Sequence, residues 1–109
     1  MKTVRLMDNW KFENDNAVAE PLFAGREGRV LRFALRPGQS IEEHASYSPV
    51  YIVVLKGRGM FAGGDGNEQQ VNQNEMVILD PGEKHRIHAQ DEDLVFLTFM
   101  QGVPESYRT

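Results

Sequence analysis

The feature of this sequence that most constrains its fold is a regular alternation of short apolar runs with turn-forming residues. Gly, Pro, Asn and Asp interrupt the chain at spacings of roughly 8 to 12 residues, for example at Pro37-Gly38 and at Gly63-Gly64-Asp65-Gly66. The runs between them predict about eight short strands, and none has the spacing of an amphipathic helix. Such a pattern is typical of an all-β sandwich or barrel. About eight strands suffice to close a small barrel around side chains or one small ligand.

The clearest strand runs from Val50 to Lys56. Its residues are mostly β-branched or aromatic, and they are apolar on both faces of the strand. This is the pattern of a strand that is covered on both sides. We therefore expect one face to line the interior and the other to contact a partner sheet.

The chain forms one domain, since 109 residues enclose a single core and are too few for two. Residues 1–27 are polar with isolated apolar positions and predict an N-terminal arm or edge strands. Residues 28–100 hold the predicted barrel, and residues 101–109 are a C-terminal tail. We expect Trp10 and Phe12, in the arm, to pack across this barrel or a neighbouring one.

Composition excludes several classes of function. The chain has no cysteine, so any metal ion must be held by nitrogen and oxygen ligands. The net charge of −4 and scattered basic residues argue against nucleic acid as a partner. No apolar run reaches the roughly 18 to 20 residues of a membrane span, and the N-terminus lacks a signal-peptide pattern. A cytoplasmic protein without a membrane partner is the simplest expectation.

Two segments carry small and histidine residues at fixed spacings. The first contains Gly38, His44, Ser46, Val50 and Gly57. The second contains Asn74, Asp80, Gly82, His85 and Ala89, with Pro81 beside Gly82. The two segments resemble, in register, the two signature motifs of the cupin superfamily. The first motif reads Gly, five residues, His, one, His, three or four, Glu, six, Gly, and the second reads Gly, five residues, Pro, one, Gly, two, His, three, Asn.

The resemblance is to small single-domain proteins of the cupin 2 type and implies an RmlC-like fold. That fold is a small antiparallel β-barrel, also called a double-stranded β-helix or jelly roll, with its site inside. In metal-binding cupins, both His and the Glu of the first motif and the His of the second hold one divalent ion. Here only His44 and His85 keep a ligating side chain, since Ser46 and Val50 stand at the other two positions. Catalytic zinc sites normally present three protein ligands, so the metal site of the family is incomplete.

Three functions are compatible with this intact register and reduced ligand set. The leading hypothesis is a cupin that binds a small molecule in the barrel interior without a metal. Its predicted pocket residues are His44, Ser46, Val50, Tyr51 and His85.

The second hypothesis is a metal-dependent cupin enzyme of the oxygenase or isomerase type. It would hold Fe, Mn, Ni or Zn with His44, His85 and Glu42, because Glu42 and His44 share one face of an extended strand. The third is a stand-alone sensing or accessory domain. Whether the protein is an enzyme stays open, although a His with a pKa near 6.5 is suited to acid or base catalysis.

Family resemblance and the two apolar faces of the Val50–Lys56 strand together predict a homodimer. Tyr47 and Tyr51 are expected near the pocket mouth or a subunit contact. His88 lies on the opposite strand face from His85 and is expected at the surface.

Overall fold

The computed structural model describes residues 1–102, and these residues form nine strands and no helix. The strands are β1 (Val18–Gly25), β2 (Gly28–Leu35), β3 (Ser40–His44), β4 (Val50–Lys56), β5 (Arg58–Ala62), β6 (Glu68–Asn72), β7 (Met76–Leu79), β8 (His85–Ala89) and β9 (Leu94–Gln101). Strands β2 to β9 are the eight expected from the turn pattern, and β1 falls within the predicted arm. The end of the predicted tail, residues 103–109, lies outside the described residues.

The strands form two antiparallel sheets that face each other. One sheet has five strands in the order β1-β2-β9-β4-β7, and the other has four in the order β3-β8-β5-β6. Within residues 1–102, no strand pair joins the two sheets into a closed barrel. The prediction of an all-β antiparallel fold is confirmed.

The hydrophobic core lies between the two sheets. Alternation along each strand turns every second residue inward, and the inner faces contribute one cluster of buried side chains that includes Leu35, Ile52, Phe61 and Phe96. The Phe96 ring stacks on Phe33 at a centroid distance of 5.0 Å and meets the edge of Phe61 at 5.8 Å. Aromatic packing of this kind fills one end of the space between the sheets.

The N-terminal arm is attached to the outer face of the five-stranded sheet through Arg32. This side chain is 4% exposed, and its guanidinium donates to the Glu20 carboxylate at 2.8 Å. It also donates to the carbonyls of Arg5 at 2.8 Å and Leu6 at 3.1 Å. Arg32 therefore ties the arm to β1 and β2.

Trp10 and Phe12 are both half-buried. The Trp10 indole donates to the Leu6 carbonyl at 2.8 Å, and the Arg36 guanidinium lies 4.2 Å from the centre of the Phe12 ring. Phe12 thus contacts its own domain through Arg36, whereas the hydrogen bond of Trp10 lies within the arm.

Four positions of the two motifs have a backbone that L-residues rarely adopt. Gly38, Gly57 and Gly82 have φ values of 82°, 78° and 78°, and Asn74 has 68°. Asn74 stands where the family motif has Gly, and Asn is one of the few residues that tolerate this conformation. A Cβ at Gly57 would also collide with the Asp93 carbonyl. The spacing of these motif residues therefore corresponds to the positions at which the chain turns.

Candidate functional site

The two motif histidines lie side by side on neighbouring strands. His44, at the end of β3, is the cross-strand partner of His85, at the start of β8. Their ring centroids are 4.2 Å apart, with an angle of 59° between the planes. His85 is 4% exposed, whereas His44 is exposed. The pair thus reaches from the interior to the mouth of the domain.

Each histidine ring is held by the backbone carbonyl two residues earlier. Nδ1 of His44 lies 2.9 Å from the Glu42 carbonyl, and Nδ1 of His85 lies 3.0 Å from the Glu83 carbonyl. A carbonyl oxygen only accepts, so Nδ1 carries the proton in both bonds. In the neutral ring, Nε2 is then an acceptor with a free lone pair.

The histidines line a cavity of about 150 Å³ between the two sheets. Its apolar lining residues are Leu31, Phe33, Ile41, Val50, Ile52, Ile87, Phe96 and Met100. Its polar lining residues are Arg29, His44, Ser46, His85 and Thr98. An apolar chamber with a few polar groups is the usual form of a small-molecule site.

Comparison with known protein families identifies the family of this chain. A profile of the cupin domain family matches residues 31–100, which include both histidines and most of the strands. The chain belongs to the cupin family.

Solved cupin structures share the fold of this protein. An RmlC-like cupin from Desulfovibrio desulfuricans has a TM-score of 0.84 and 21% identity, covering 94% of this chain and 99% of that one. An RmlC-like cupin with a double-stranded β-helix fold, from Methanocaldococcus jannaschii, has a TM-score of 0.76 and 19% identity, covering 94% and 97%. These similarities confirm the predicted double-stranded β-helix.

A structure described as a predicted oxalate decarboxylase, from Thermotoga maritima, has a TM-score of 0.64 and 28% identity, covering 71% of this chain and 69% of that one. No sequence among the curated proteins matches significantly. The comparisons therefore show the family and the fold of this cupin.

The cavity of this cupin brings together four of the residues singled out from its sequence, His44, Ser46, Val50 and His85. The fifth, Tyr51, does not line it. Side chains alternate along β4, so Val50 points inward while Tyr51 lies on the outer face, beside Phe99. The structure thus places Tyr51 with a surface groove.

Glu42 is likewise not among the residues that line the cavity. The β3–β8 register is irregular between Ile41 and His44, and both of these side chains face the cavity. Simple alternation, on which the pairing of Glu42 with His44 was based, therefore does not hold in β3.

The donor set of this cupin does not fit the four-ligand ion of metal-binding relatives. Within residues 1–102, no group of three or more His, Cys, Asp or Glu side chains is placed to hold a metal ion. Val50 and Ser46 occupy the remaining ligand positions of the family motif and both line the cavity. The two motif positions without a ligating side chain, Ser46 and Val50, thus lie at the cavity that a bound metal ion would occupy.

Burial sets the charge of the inner histidine. Desolvation lowers the pKa of His85 below its usual value of 6.5, and the neighbouring His44 lowers it further. The hydrogen bond to the Glu83 carbonyl and the Glu83 charge act in the opposite direction without reversing the shift. His85 therefore favours its neutral form more strongly than an exposed histidine does.

Glu83 supports the site, a role that sequence reasoning did not assign to it. Its carboxylate accepts from the amides of Gly64 and Asp80, both at 2.9 Å. These two bonds lower the pKa of Glu83, and they join the β5–β6 turn to the turn that leads into His85. The only sequence signal was its position inside the Asp80-Pro81-Gly82-Glu83 turn.

Arg29 and Thr98 are further lining residues that sequence reasoning missed. Both lie on strands that alternate between two faces, β2 and β9, and Leu31 is the cross-strand partner of Thr98. Which face turns inward depends on how the two sheets stack, and this was not readable from either strand alone.

A larger, open cleft of about 680 Å³ lies between β6 and β7, where the two sheets separate. Four carboxylates line it, Asp65, Glu68, Glu75 and Glu83, together with His85. His85 thus borders both the cleft and the interior cavity. Nδ1 of His88, on the other face of β8, lies 3.2 Å from a carboxylate oxygen of Glu68. No helix in the described part of the chain is long and apolar enough to cross a membrane.

Proposed function

We propose that this cupin binds a small molecule in the cavity beside His44 and His85 and that it does so without a metal ion. The observation that carries the proposal is a cavity with mostly apolar walls that five polar side chains also line, those of Arg29, His44, Ser46, His85 and Thr98. Apolar walls provide affinity, and a few polar groups fix the orientation of a ligand.

The size of the cavity limits the ligand. A volume of about 150 Å³ is below the range of roughly 300 to 1,000 Å³ that holds drug-sized molecules. We therefore expect a ligand of a few non-hydrogen atoms rather than a nucleotide or a disaccharide.

Metal-free binding is favoured because the cavity supplies two imidazoles and no acidic side chain. Two imidazoles fall short of the three protein ligands of a catalytic zinc site. The ligand positions of the family that are lost, Ser46 and Val50, instead add a hydroxyl and apolar surface to the cavity.

A melting-temperature screen of chelator-treated protein tests the proposal. Neutral and charged compounds of fewer than about ten non-hydrogen atoms are added, since a ligand of the native state raises the melting temperature. We expect stabilisation of the wild type and of a His88→Ala control, and none of His85→Leu. If no compound stabilises the chelated wild type while a metal salt restores binding, the metal-free proposal is overturned.

A second candidate is a metal-dependent cupin enzyme. It is favoured by the anchoring of both Nδ1 atoms on backbone carbonyls, because metal-binding histidines usually hold their second nitrogen in this way. Elemental analysis of protein purified without chelator distinguishes the two. Stoichiometric Fe, Mn, Ni or Zn that is lost in His85→Ala would favour the enzyme and overturn metal-free binding.

We also propose that two copies of this cupin associate through the outer face of the five-stranded sheet. A row of apolar residues crosses all five strands at one level of this face. Its cross-strand partners are, in order, Phe23, Val30, Phe99, Tyr51 and Ile78. Phe23 is 50% exposed and Ile78 is 64% exposed, so the row is an uncovered apolar surface of the kind that marks interaction sites.

The arrangement of the row suits a second copy of the same chain. A two-fold interface requires a patch that is complementary to itself. A two-fold axis along β9 at Phe99 brings Val30 of each copy over Tyr51 of the other, and Phe23 over Ile78. Every contact along the row is then apolar.

A further inference from the structure

The interior cavity has one end that differs in chemistry from the other. Arg29 on β2 pairs with Met100 on β9, and Met100 pairs with Val50 on β4. These three residues form the layer of the cavity nearest its opening. The deepest pair of the same strands that lines the cavity is Phe33 with Phe96. Entering ligand atoms thus pass Arg29 before they reach the aromatic end.

Arg29 is the charged side chain of this cavity. Its lining contains no carboxylate, although the chain as a whole has a net charge of −4. In the described chain, the contact found for the guanidinium is the Met100 sulfur at 3.9 Å, and a thioether is a weak acceptor. The five donors of an arginine suit a carboxylate, and here they remain available for one.

The cavity opens toward solvent beside Arg29. Arg29, Ser46 and Met100 also line an outer depression of about 570 Å³. A basic residue at the entrance of a cavity attracts anions from solution. An anionic ligand therefore meets the positive charge of Arg29 where the cavity opens.

The histidines set a second requirement. Their Nδ1–H groups donate to the carbonyls of Glu42 and Glu83, so the acceptor that either ring offers in its neutral form is Nε2. A second oxygen anion would repel these lone pairs, whereas a hydroxyl group would donate to one of them. A ligand that complements this cavity thus carries a negative charge next to Arg29 and a hydrogen-bond donor next to the imidazoles.

We propose that the ligand of this cupin is a small hydroxy carboxylic acid whose carboxylate binds Arg29, whose hydroxyl donates to an imidazole Nε2, and whose short aliphatic tail points toward Phe33 and Phe96. This inference rests on the proposed small-molecule function and names its ligand class. The tail is limited to a few carbons by the volume of the cavity.

The test uses four-carbon probes on the full chain at constant ionic strength, with affinities measured by calorimetry. The acid probes are 2-hydroxybutanoate and 3-hydroxybutanoate. Butanoate lacks the hydroxyl, and 2-hydroxybutanamide and 3-hydroxybutanamide lack the charge. We expect at least one hydroxy acid to bind about tenfold or more tightly than both butanoate and its own amide.

Variants connect the charge preference to Arg29. Arg29→Gln is expected to remove the preference for acid over amide, and Arg29→Lys to retain part of it, because lysine keeps the charge and loses the forked geometry. Arg58→Gln, which removes an equal charge from an exposed pair with Asp91, is the matched control and should bind like the wild type. The circular dichroism spectrum of each variant verifies its fold.

Four results would overturn the inference. Amides that bind the wild type as tightly as the acids would remove the role of Arg29 while leaving the small-molecule function in place. Equal binding of butanoate and both hydroxy acids would remove the role of the imidazoles. If none of these probes binds while other compounds stabilise the protein, the ligand class is wrong and the proposed function survives. If nothing binds in either experiment, both are wrong.

Discussion

The imidazole rings of His44 and His85 lie 4.2 Å apart, centroid to centroid, across the β3–β8 pair. Each ring is oriented by a backbone carbonyl of its own strand or turn, so neither orientation depends on a metal ion. The two remaining ligand positions of the family, Ser46 and Val50, line the same cavity. This cupin therefore keeps the positions of a metal site while it has replaced half of the ligands.

The double substitution Ser46→His and Val50→Glu should restore metal binding. It supplies the missing imidazole and carboxylate at the positions of the family motif. Without metal, the variant is expected to be less stable than the wild type by about 2 to 4 kcal/mol, because a carboxylate replaces a buried apolar side chain. Metal should recover about 2.7 kcal/mol at a hundredfold excess over Kd. Elemental analysis and melting with Zn²⁺ measure both effects.

Ser46→Asn with Val50→Gln is the control for this experiment, since it adds similar volume without the same ligands. It should be destabilised and show no stabilisation by Zn²⁺. A restored variant that binds no metal would show that the backbone around β3 and β4 no longer has the geometry of the family.

The ion pair of Glu20 with Arg32 should make stability depend on acid. Burial alone would raise the pKa of Glu20, but the hydrogen bond and charge of Arg32, with a smaller effect of Lys11, outweigh burial and lower it. A carboxyl with a lowered pKa stabilises the fold above its unfolded value near 4.5, and this contribution is lost as the pH falls through the folded value.

Glu20→Gln should therefore cost about 2 kcal/mol at pH 7, since it leaves the buried Arg32 without its counter-charge. The difference from the wild type should shrink at pH values below the folded pKa of Glu20. Urea unfolding across the pH range measures it, and Glu13→Gln, an exposed carboxylate of the arm, serves as control. A difference that does not change with pH would exclude this mechanism.

Loss of the Glu83 carboxylate should loosen the turn that carries His85. Glu83→Ala removes the acceptor for the amides of Gly64 and Asp80, and Glu83→Gln keeps one oxygen. We expect the melting temperature to fall in the order wild type, Gln, Ala, and amide exchange at Gly64 and Asp80 to become faster in the same order. Glu92→Ala, in an exposed turn, should leave both quantities unchanged.

The apolar row on the outer face should control association. Ile78→Glu places a charge at the end of the row, where the side chain is 64% exposed, so the stability of the monomer should change by less than about 0.5 kcal/mol. The dissociation constant of the dimer should rise by at least about tenfold, as measured by analytical ultracentrifugation. Met7→Glu, an exposed apolar residue of the arm, is the control. A wild type that sediments as a monomer at micromolar concentration would exclude the dimer.

Turn chemistry made most of the fold predictable. Residues that tolerate positive φ, such as Gly38, Gly57 and Asn74, mark the chain reversals, and β4 has the bounds read from its β-branched run. These are local properties of a few adjacent residues, so they can be predicted without a structure. The N-terminal segment was harder to predict, because β1 forms a strand only by pairing with β2.

The candidate site could be predicted only where it follows motif spacing. His44, Ser46, Val50 and His85 meet at one cavity, as their positions in the two motifs suggested. Glu42 and Tyr51 are not among its lining residues, the first because the β3 register is irregular and the second because it lies on the outer face of β4. Arg29 and Thr98 carried no signal, since alternation does not say which face of a strand will be covered.

The sequence by itself thus determined the strand and turn order, the family and the two histidines, because each depends on spacing along the chain. Only the tertiary structure decided what surrounds them: Arg29 at the cavity mouth, carbonyls behind both imidazoles and an apolar row across the outer face. These features bring together residues up to 71 positions apart, such as Arg29 and Met100. The stacking and register of whole sheets place such residues next to each other, and no short stretch of sequence contains that information.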